Sequence, residues 1–497
     1  MTAIWTLARL EGRRYPSLQH GLEVDVAIIG GGVTGLATAM RLLEQGRKVA
    51  VLEALCVGQG STGNSTGNLY ATVSHGLSNV RSKWNDDTIR NVVAARSAAV
   101  DEIERRVERY NIDCQFARRP LHFCLPHPND DQERRLDDEY EASLVAGLHA
   151  QLVDDVPDLP LSVVRALRVE NQAQFNPLRY AEELARAVAG QGGQIFENTP
   201  ATDVNAGEGA VSTPGGTVTA KSIVFATHTP KGVNLLQAEM EPSREYGVAA
   251  PLPGGGHPEG IFWLLDSFHS VRTYRYKEQA YLVVIGEKHQ TGHGESGEAY
   301  YSNLEAYARE HFGAGDFSHR WSAQQYKSAD LLPYIGRSAH DNVYVATGYA
   351  ADGLIWGEVA AGILCDLILG KETEAVRLFN PRRFTPVKSA KSWAALNVKV
   401  AKHLTADYFG LDKLDDLDMV SAGEGKVVDV SGEKVAVYRA PDNTLSVLSP
   451  VCPHMKCIVK WNAADLSWDC PCHGSRFGTD GSVIEGPAYG PLTQLKQ

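Results

Sequence analysis

Four residues near the end of the chain carry the most specific chemical signal in the sequence. Cys452-Pro-His454 and Cys470-Pro-Cys472-His473 form a C-x-H pair and a C-x-x-H pair separated by fifteen residues. A 2Fe-2S centre with mixed ligands needs two thiolates on one iron and two imidazoles on the other, and each pair supplies one of each. Two cysteines and two histidines also suit tetrahedral zinc, so spacing alone leaves that rival open. Cys56, Cys114, Cys124 and Cys365 are scattered, whereas Cys452, Cys457, Cys470 and Cys472 crowd into 21 residues. The first residues, MTAIWTLARLEGRRYPSLQHG, break their apolar positions with charge and contain no signal-peptide core. Clustered cysteines in such a chain favour metal binding over a disulfide scaffold.

A second chemistry lies near the start. Gly30, Gly32 and Gly35 spell G-x-G-x-x-G between a β-branched run, VDVAII, and a helical stretch, LATAMRLLEQG; Glu53 closes the next strand 23 residues after Gly30. Glycines at these positions allow a tight turn and close approach of a pyrophosphate to the helix N-terminus, and the carboxylate accepts ribose hydroxyls. This reads as a dinucleotide site. The chain has a single such fingerprint, so a reductase binding both FAD and NAD(P)H through two units is not expected, and the electrons should come from a small organic substrate.

The elements that must position these residues follow from pattern. A chain of 497 residues suggests two to four units at roughly 150 residues each. The βαβ opening predicts an α/β domain. Residues 86 to 111 and 131 to 152 read as amphipathic helices, RRPLHFCLP (118 to 126) as a strand, 177 to 198 as helix then strand, and SIVFAT (222 to 227) as a buried parallel strand. From about 244 to 290 strands dominate, which predicts an antiparallel substrate subdomain, roughly 244–325 with part of 86–170. NVYVATGY and the apolar helix 353–370 return to the first domain. Residues 386–412 read as a connector, and short strands recur from 413 to the end.

The net charge of -12 without a long basic run argues against nucleic acid or an anionic membrane as the main partner. No window approaches the roughly 18 uninterrupted apolar residues of a membrane span. These features predict a cytoplasmic protein with no membrane span.

Between residues 20 and 385 the chain resembles the D-amino-acid oxidase family of flavoproteins, which includes glycine and sarcosine oxidases. LEALCVGQGSTGNSTGN (52 to 68), FNPLRYAEELARAVAGQGG, SIVFAT, DLLPYIGR, NVYVATGYAADGLIWGEVAAGILCDLILG and LFNPRRF carry the likeness. It implies a Rossmann-type FAD domain with an antiparallel-sheet substrate subdomain over residues 1–385. It assigns Ala54, Gly60, Ser61, Thr62, Asn64 and Thr66 to the flavin loop. Val204 and Ala226 fall to the adenosine end, and Gly348, Gly353 and Leu354 to the isoalloxazine. Two departures stand out. A carboxylate-binding lysine of sarcosine oxidase relatives is replaced by Ile355. The cysteine that attaches FAD in several relatives has no counterpart in residues 316 to 330, which implies non-covalent FAD.

Residues 413–497 resemble Rieske proteins along SPVCPHMKCIVKWNAADLSWDCPCHGSRFGTDGSVIEGPAYGPL. The likeness implies a C-terminal all-β domain with a 2Fe-2S cluster on Cys452, His454, Cys470 and His473. It also implies a disulfide between Cys457 and Cys472, shielded from a reducing cytoplasm by the loops around it, with Gly486, Pro487 and Ala488 as a third loop over the cluster. Ser475 matches a residue that hydrogen-bonds a cluster sulfur in high-potential relatives, whereas Phe477 replaces a tyrosine that bonds a ligand thiolate. That combination implies an intermediate potential within the range of about -150 to +300 mV. The domain follows a flavoprotein and no two-His, one-carboxylate iron motif is evident, so ring-hydroxylating oxygenase chemistry is not expected.

Polar groups expected to face the flavin are His75, Arg272, Tyr274 and His289, with His293, Tyr246 and Tyr349 as similar cases. The resemblances together imply an FAD-dependent dehydrogenase of an amine or amino-acid-like compound. Electrons would leave one at a time through the exposed imidazoles of the cluster to a ferredoxin, cytochrome or quinone. Two other readings remain: reverse flow, in which the Rieske domain feeds the flavin to reduce an imine-like substrate, and a redox carrier or sensor without a substrate of its own.

Overall fold

The first strand, Leu22–Ile29, ends at Gly30, and the helix Val33–Glu44 starts at once, because Gly30 takes a φ of +112° that a side chain resists. The helix stops before Gly46, which is left-handed at +72°, and the strand Val49–Leu52 pairs parallel to the first. The structure is a computed structural model that describes residues 2–10, 14–157, 159–253, 258–293, 297–383, 394, 397–398, 400, 420–430 and 432–495.

Leu22–Ile29 lies at the centre of the first sheet, flanked by Val49–Leu52 and by Gly216–Phe225. Gln194–Phe196 and Val343–Thr347 extend it in parallel, and Tyr334–Arg337 closes one side antiparallel. All four residues of Val49–Leu52 and all five of Val343–Thr347 are buried, as expected for parallel strands covered on both faces. The helix Gly353–Ile368 is buried almost all round and crosses Val33–Glu44 at Gly357, where a Cβ would stand 2.7 Å from Thr34 Oγ1.

The second sheet has nine strands. His319–Ser328, Met240–Pro251, Gln279–Gln290, His269–Tyr276 and Ile261–Leu264 run antiparallel in that order; Ala117–Leu125 joins parallel to Ile261–Leu264 and leads to Arg165–Gln174 and Asn68–Leu69. Part of the 86–170 region therefore belongs to the same sheet as 240–328. The expected helix over 131 to 152 is shorter. It spans Asp130–Val145, Gly147 turns left-handed at +89°, and Ala150–Val153 becomes a strand on Arg165–Gln174. Side-chain caps start several helices where the sequence offers Asn: Asn85 Oδ1 accepts from Thr88 N and Asn176 Oδ1 from Arg179 N.

The C-terminal region is all-β. One antiparallel sheet holds Gly425–Val430, Glu433–Arg439 and Leu445–Leu448; the other holds Lys460–Asn462, Ser467–Asp469, Arg476–Phe477 and Val483–Glu485. Trp468, Phe477 and the cysteines form its core. The expected connector, 386–412, lies outside the described residues apart from Ala394, Asn397, Val398 and Val400.

Candidate active site and cluster centre

The glycine turn opens a cavity of about 290 Å³ at the C-terminal edge of the first sheet. A Cβ on Gly30 would fall 2.5 Å from Ala226 O, and one on Gly32 would fall 2.9 Å from Thr62 Oγ1. The wall facing the helix N-terminus is therefore bare backbone, the surface a pyrophosphate needs. Glu53 Oε2 accepts from Gly31 N at 2.7 Å and Oε1 from Leu55 N at 2.8 Å, which fixes the carboxylate at the cavity edge; burial raises its pKa. A dinucleotide fits this cradle.

All of the residues assigned from sequence to this site line the cavity except Gly35, Val204 and Gly348. Gly35 lies beneath the turn, where a Cβ would come within 2.0 Å of Gly30 O, so it brings helix and strand together. Val204 sits in the edge strand Asp203–Asn205 and packs into the core beside Ala201; Pro200 and Ala201 form the wall there instead. Gly348, at a φ of +79°, turns the chain from Val343–Thr347 toward the helix that carries Gly353 and Leu354.

A second cavity, of about 1290 Å³, adjoins the first at Thr66, Glu245, Ile285, Ala350 and Ala351. Its aromatic side is Tyr70, Phe123 and Trp263, with Trp263 edge-on to both others at 4.8 and 4.9 Å. Lys288, Lys327, Glu245 and Glu287 bring charge to it. Burial, and then the neighbouring Lys288, lower the Lys327 pKa, as befits an ammonium short of counter-charge.

Of the four residues expected to be catalytic, the structure brings only His75 to this cavity. Its Nε2 meets Leu331 O at 3.1 Å. A carbonyl can only accept, so Nε2 carries the proton, and Nδ1, buried and without a hydrogen-bond partner, holds a free lone pair. Burial takes the His75 pKa down to about 4. Arg272 instead donates to Thr66 O at 3.1 Å and Gly67 O at 2.7 Å and stands over the Trp5 ring, bracing the flavin loop from behind. Tyr274 accepts from Asn176 Nδ2 and packs edge-on to Trp5. His289 stacks on Tyr300 at 4.7 Å and meets the Tyr246 hydroxyl at 3.1 Å. Its neighbours Glu287 and Lys288 take the cavity side instead. His293 bonds Thr291 O outside the cavity lining, whereas Tyr246 and Tyr349 line the first cavity.

The two cysteine–histidine loops come together in the C-terminal region. Cys452 and Cys470 are buried, Cys457 and Cys472 are disulfide-bonded, and the rings of His454 and His473 stand 5.0 Å apart at 89°. Nδ1 of both histidines is buried without a hydrogen-bond partner. Gln237 Oε1 accepts from His454 Nε2 at 2.9 Å and also from Asn234 N, so His454 carries its proton on Nε2 and leaves Nδ1 for a metal. Among the described residues the sulfurs of Cys457, Cys470 and Cys472 lie within 4.8 Å of one another. The disulfide occupies two of them, and the Cys470 thiol remains free. Two free thiols and two bare imidazole nitrogens fit a mixed-ligand 2Fe-2S cluster. The Ser475 hydroxyl also bonds the Cys452 sulfur.

The imidazole edge is not turned to solvent as expected. His473 is buried, and His454 is half-buried against Gln237 of the flavoprotein region. Sequence reading missed this contact because it depends on residues far apart in the chain. Gly232 N donates to Pro487 O at 2.8 Å, and Lys231 Nζ to Ala488 O at 3.1 Å, so the third cluster loop rests on the segment after SIVFAT. Arg244, fully buried, reaches Asp465 at 2.7 Å and Glu485 at 3.2 Å; Arg476 reaches the same two carboxylates and Asp469. Against its burial, Arg476 and Arg244 hold the Glu485 carboxyl below the usual range. Val483, Glu485, Gly486 and Tyr489 complete the wall of the first cavity. Among the described residues no helix is long and apolar enough to cross a membrane.

The model of the FAD dependent oxidoreductases matches residues 25–367. The chain belongs to the FAD dependent oxidoreductase family. This oxidoreductase also matches the Rieske [2Fe-2S] domain model over residues 411–496, so its cofactors are FAD and a 2Fe-2S cluster. It is 33% identical over 489 residues to YhfW of Bacillus subtilis, named for a Rieske 2Fe-2S iron-sulfur protein, covering 97% of this chain and 95% of that one. Gamma-glutamylputrescine oxidoreductase of Escherichia coli is 23% identical over 372 residues, covering 72% of this chain and 86% of that one. Among solved structures, glycine oxidase from Geobacillus kaustophilus superposes with a TM-score of 0.61 at 21% identity, over 73% of this chain and all of that one.

Proposed function

We propose that the chain oxidises an amine or amino-acid-like compound and sends the electrons singly through its Rieske cluster to an external one-electron carrier, a ferredoxin, cytochrome or quinone. In this reading residues 1–385 form the flavoprotein, 386–412 the connector and 413–497 the Rieske domain. Gly30, Gly32, Glu53 and the 60–66 loop hold FAD; Cys452, His454, Cys470 and His473 hold the cluster.

One observation carries the reading: a wide second cavity opens onto the flavin cavity and presents cation and anion together. Lys327, with Lys288 beside it, suits the anionic end of a substrate, and Glu245 stands at the junction of the two cavities, where the amine must lie. His75 Nδ1 offers a neutral acceptor in the wall. FAD, when bound, supplies the hydride acceptor for the carbon beside the amine nitrogen, and water then hydrolyses the imine product. Lys327 supplies the cation that Ile355 does not. Relatives named for a glutamylated diamine and for glycine support substrates of this class, and an open cavity favours an enzyme over a carrier.

Anaerobic mixing with a panel of amines and amino acids tests it. The expected result is bleaching of the flavin together with the EPR signal of the reduced cluster. A panel that leaves the flavin oxidised, while a reduced carrier protein bleaches it, would sink this direction of flow.

A further inference from the structure

The two cofactor regions meet tightly at Gly474, the residue after His473. Gly474 is left-handed, at a φ of +73°. A Cβ there would fall 2.8 Å from Pro242 Cβ, 3.0 Å from Gln324 Nε2 and 3.1 Å from Tyr326 Oη. Opposite it, a Cβ on Gly292 would fall 2.8 Å from Pro471 Cα. Two glycines, one from each region, thus let the cluster loop and the flavoprotein meet backbone to side chain. The Gly474 carbonyl accepts from Gln324 Nε2 at 2.8 Å and from Tyr326 Oη at 3.4 Å. One of these side chains faces the flavin cavity and the other packs on a residue that does. Gln324 lines it, and the Tyr326 ring lies edge-on, at 4.9 Å, to His228, which lines it too and bonds Ser61 at 2.9 Å. The Gln324 side chain alone spans from the Gly474 carbonyl to the cavity.

We infer that Gly474, Gln324 and Tyr326 form a fixed crossing by which electrons pass between flavin and cluster inside one chain, without movement of the Rieske domain. Gln237 and Arg244 are positioning residues for this crossing. Gln237 holds the His454 ring, and undocking Arg244 would strip a fully buried guanidinium of Asp465 and Glu485, a strongly unfavourable change. One electron of the flavin's pair reduces the oxidised cluster; the second follows once an external one-electron oxidant has cleared the first. The inference rests on the proposed function only for the source of the electrons.

Pulse radiolysis of the full-length holoprotein separates the two, because a radical generated in solution places an electron on the flavin without substrate. The expected result is a first-order transfer to the cluster whose rate is independent of protein concentration and of added viscogen. Gly474→Ala should slow it by about tenfold or more, as expected when reacting groups are displaced by ångströms, with FAD content and the cluster EPR spectrum unchanged. Tyr326→Leu, which changes no residue of the cluster loop itself, should slow it likewise and serves if the first variant does not load its cluster. A rate proportional to concentration, a rate that falls with viscosity, or wild-type rates in both variants would overturn the inference. Failure of every amine to bleach the flavin would overturn the proposed substrate class and leave this result standing.

Discussion

The flavin cavity and the proposed substrate cavity share Thr66, Glu245, Ile285, Ala350 and Ala351 and are otherwise walled by opposite means. The first, about 290 Å³, is shaped by glycine backbone and closed by Val483, Glu485, Gly486 and Tyr489 of the second domain. The second, about 1290 Å³, is lined by aromatic rings and charged side chains with room between them. A cofactor of one shape can be matched by backbone at contact distance. A wide pocket must discriminate by charge and by hydrogen bonds left unmade, so it tolerates change in size better than change in polarity. Substitutions in the first cavity should act all or none, and those in the second by degrees.

The most severe test of that contrast is Gly35→Ala. The added Cβ has no room 2.0 Å from Gly30 O, and overpacking of this kind typically costs about 1–3 kcal/mol and shifts backbone. The variant should purify without FAD absorbance while its Rieske EPR signal persists. Full flavin content would show that the cradle is less rigid than its glycines require. Cys470→Ser makes the complementary cut: the EPR signal and turnover with an external acceptor disappear, whereas anaerobic substrate still bleaches the flavin. Undiminished turnover would remove the cluster from the electron path.

In the second cavity the effect should be graded. Lys327→Met keeps the bulk and removes the cation, so KM for an acidic substrate should rise while FAD content stays constant. A hydrogen bond to a charged group contributes about 1.5–3 kcal/mol, or roughly ten- to a hundredfold in binding. Burial and Lys288 already lower the Lys327 pKa, so wild-type affinity for an acid should weaken at an alkaline pH below the usual lysine titration. An unchanged KM with acids and plain amines alike would mean that the cavity reads shape rather than charge.

The same contrast explains what could be read from sequence. The proposed cluster ligands span 452 to 473 and the glycine cradle 30 to 35, and in both the pattern is local, so residue type and spacing suffice. The substrate wall gathers His75, Trp263, Glu245 and Lys327 from three separate strands and a loop, with no motif joining them. Arg272, Tyr274 and His289 lie outside it because polar residues in strands can face either side, and what draws Arg272 away, the carbonyls of Thr66 and Gly67, lies some two hundred residues earlier. The docked His454 edge was illegible for the same reason. A signal did exist: Arg244 and Arg476 stand among buried strand residues, and a buried guanidinium needs carboxylates from somewhere.

The smallest effect concerns the neutral imidazole in the substrate wall. His75 has an ordinary value of 6.5, and burial takes it to about 4. The unfolded chain therefore binds a proton at this residue in a window where the folded chain does not. Stability rises with pH wherever the unfolded state holds more protons, so His75 contributes fully above about 6.5, and that contribution is lost as pH falls toward about 4. His75→Gln keeps a donor for Leu331 O and removes the titration. Its melting temperature should fall less on acidification from about pH 7 to pH 5 than that of the wild type, by on the order of a degree in a chain of this size. Parallel losses in the two proteins would mean that His75 is already solvated in the folded state, and the substrate cavity would then be wetter at its inner wall than the bare Nδ1 implies.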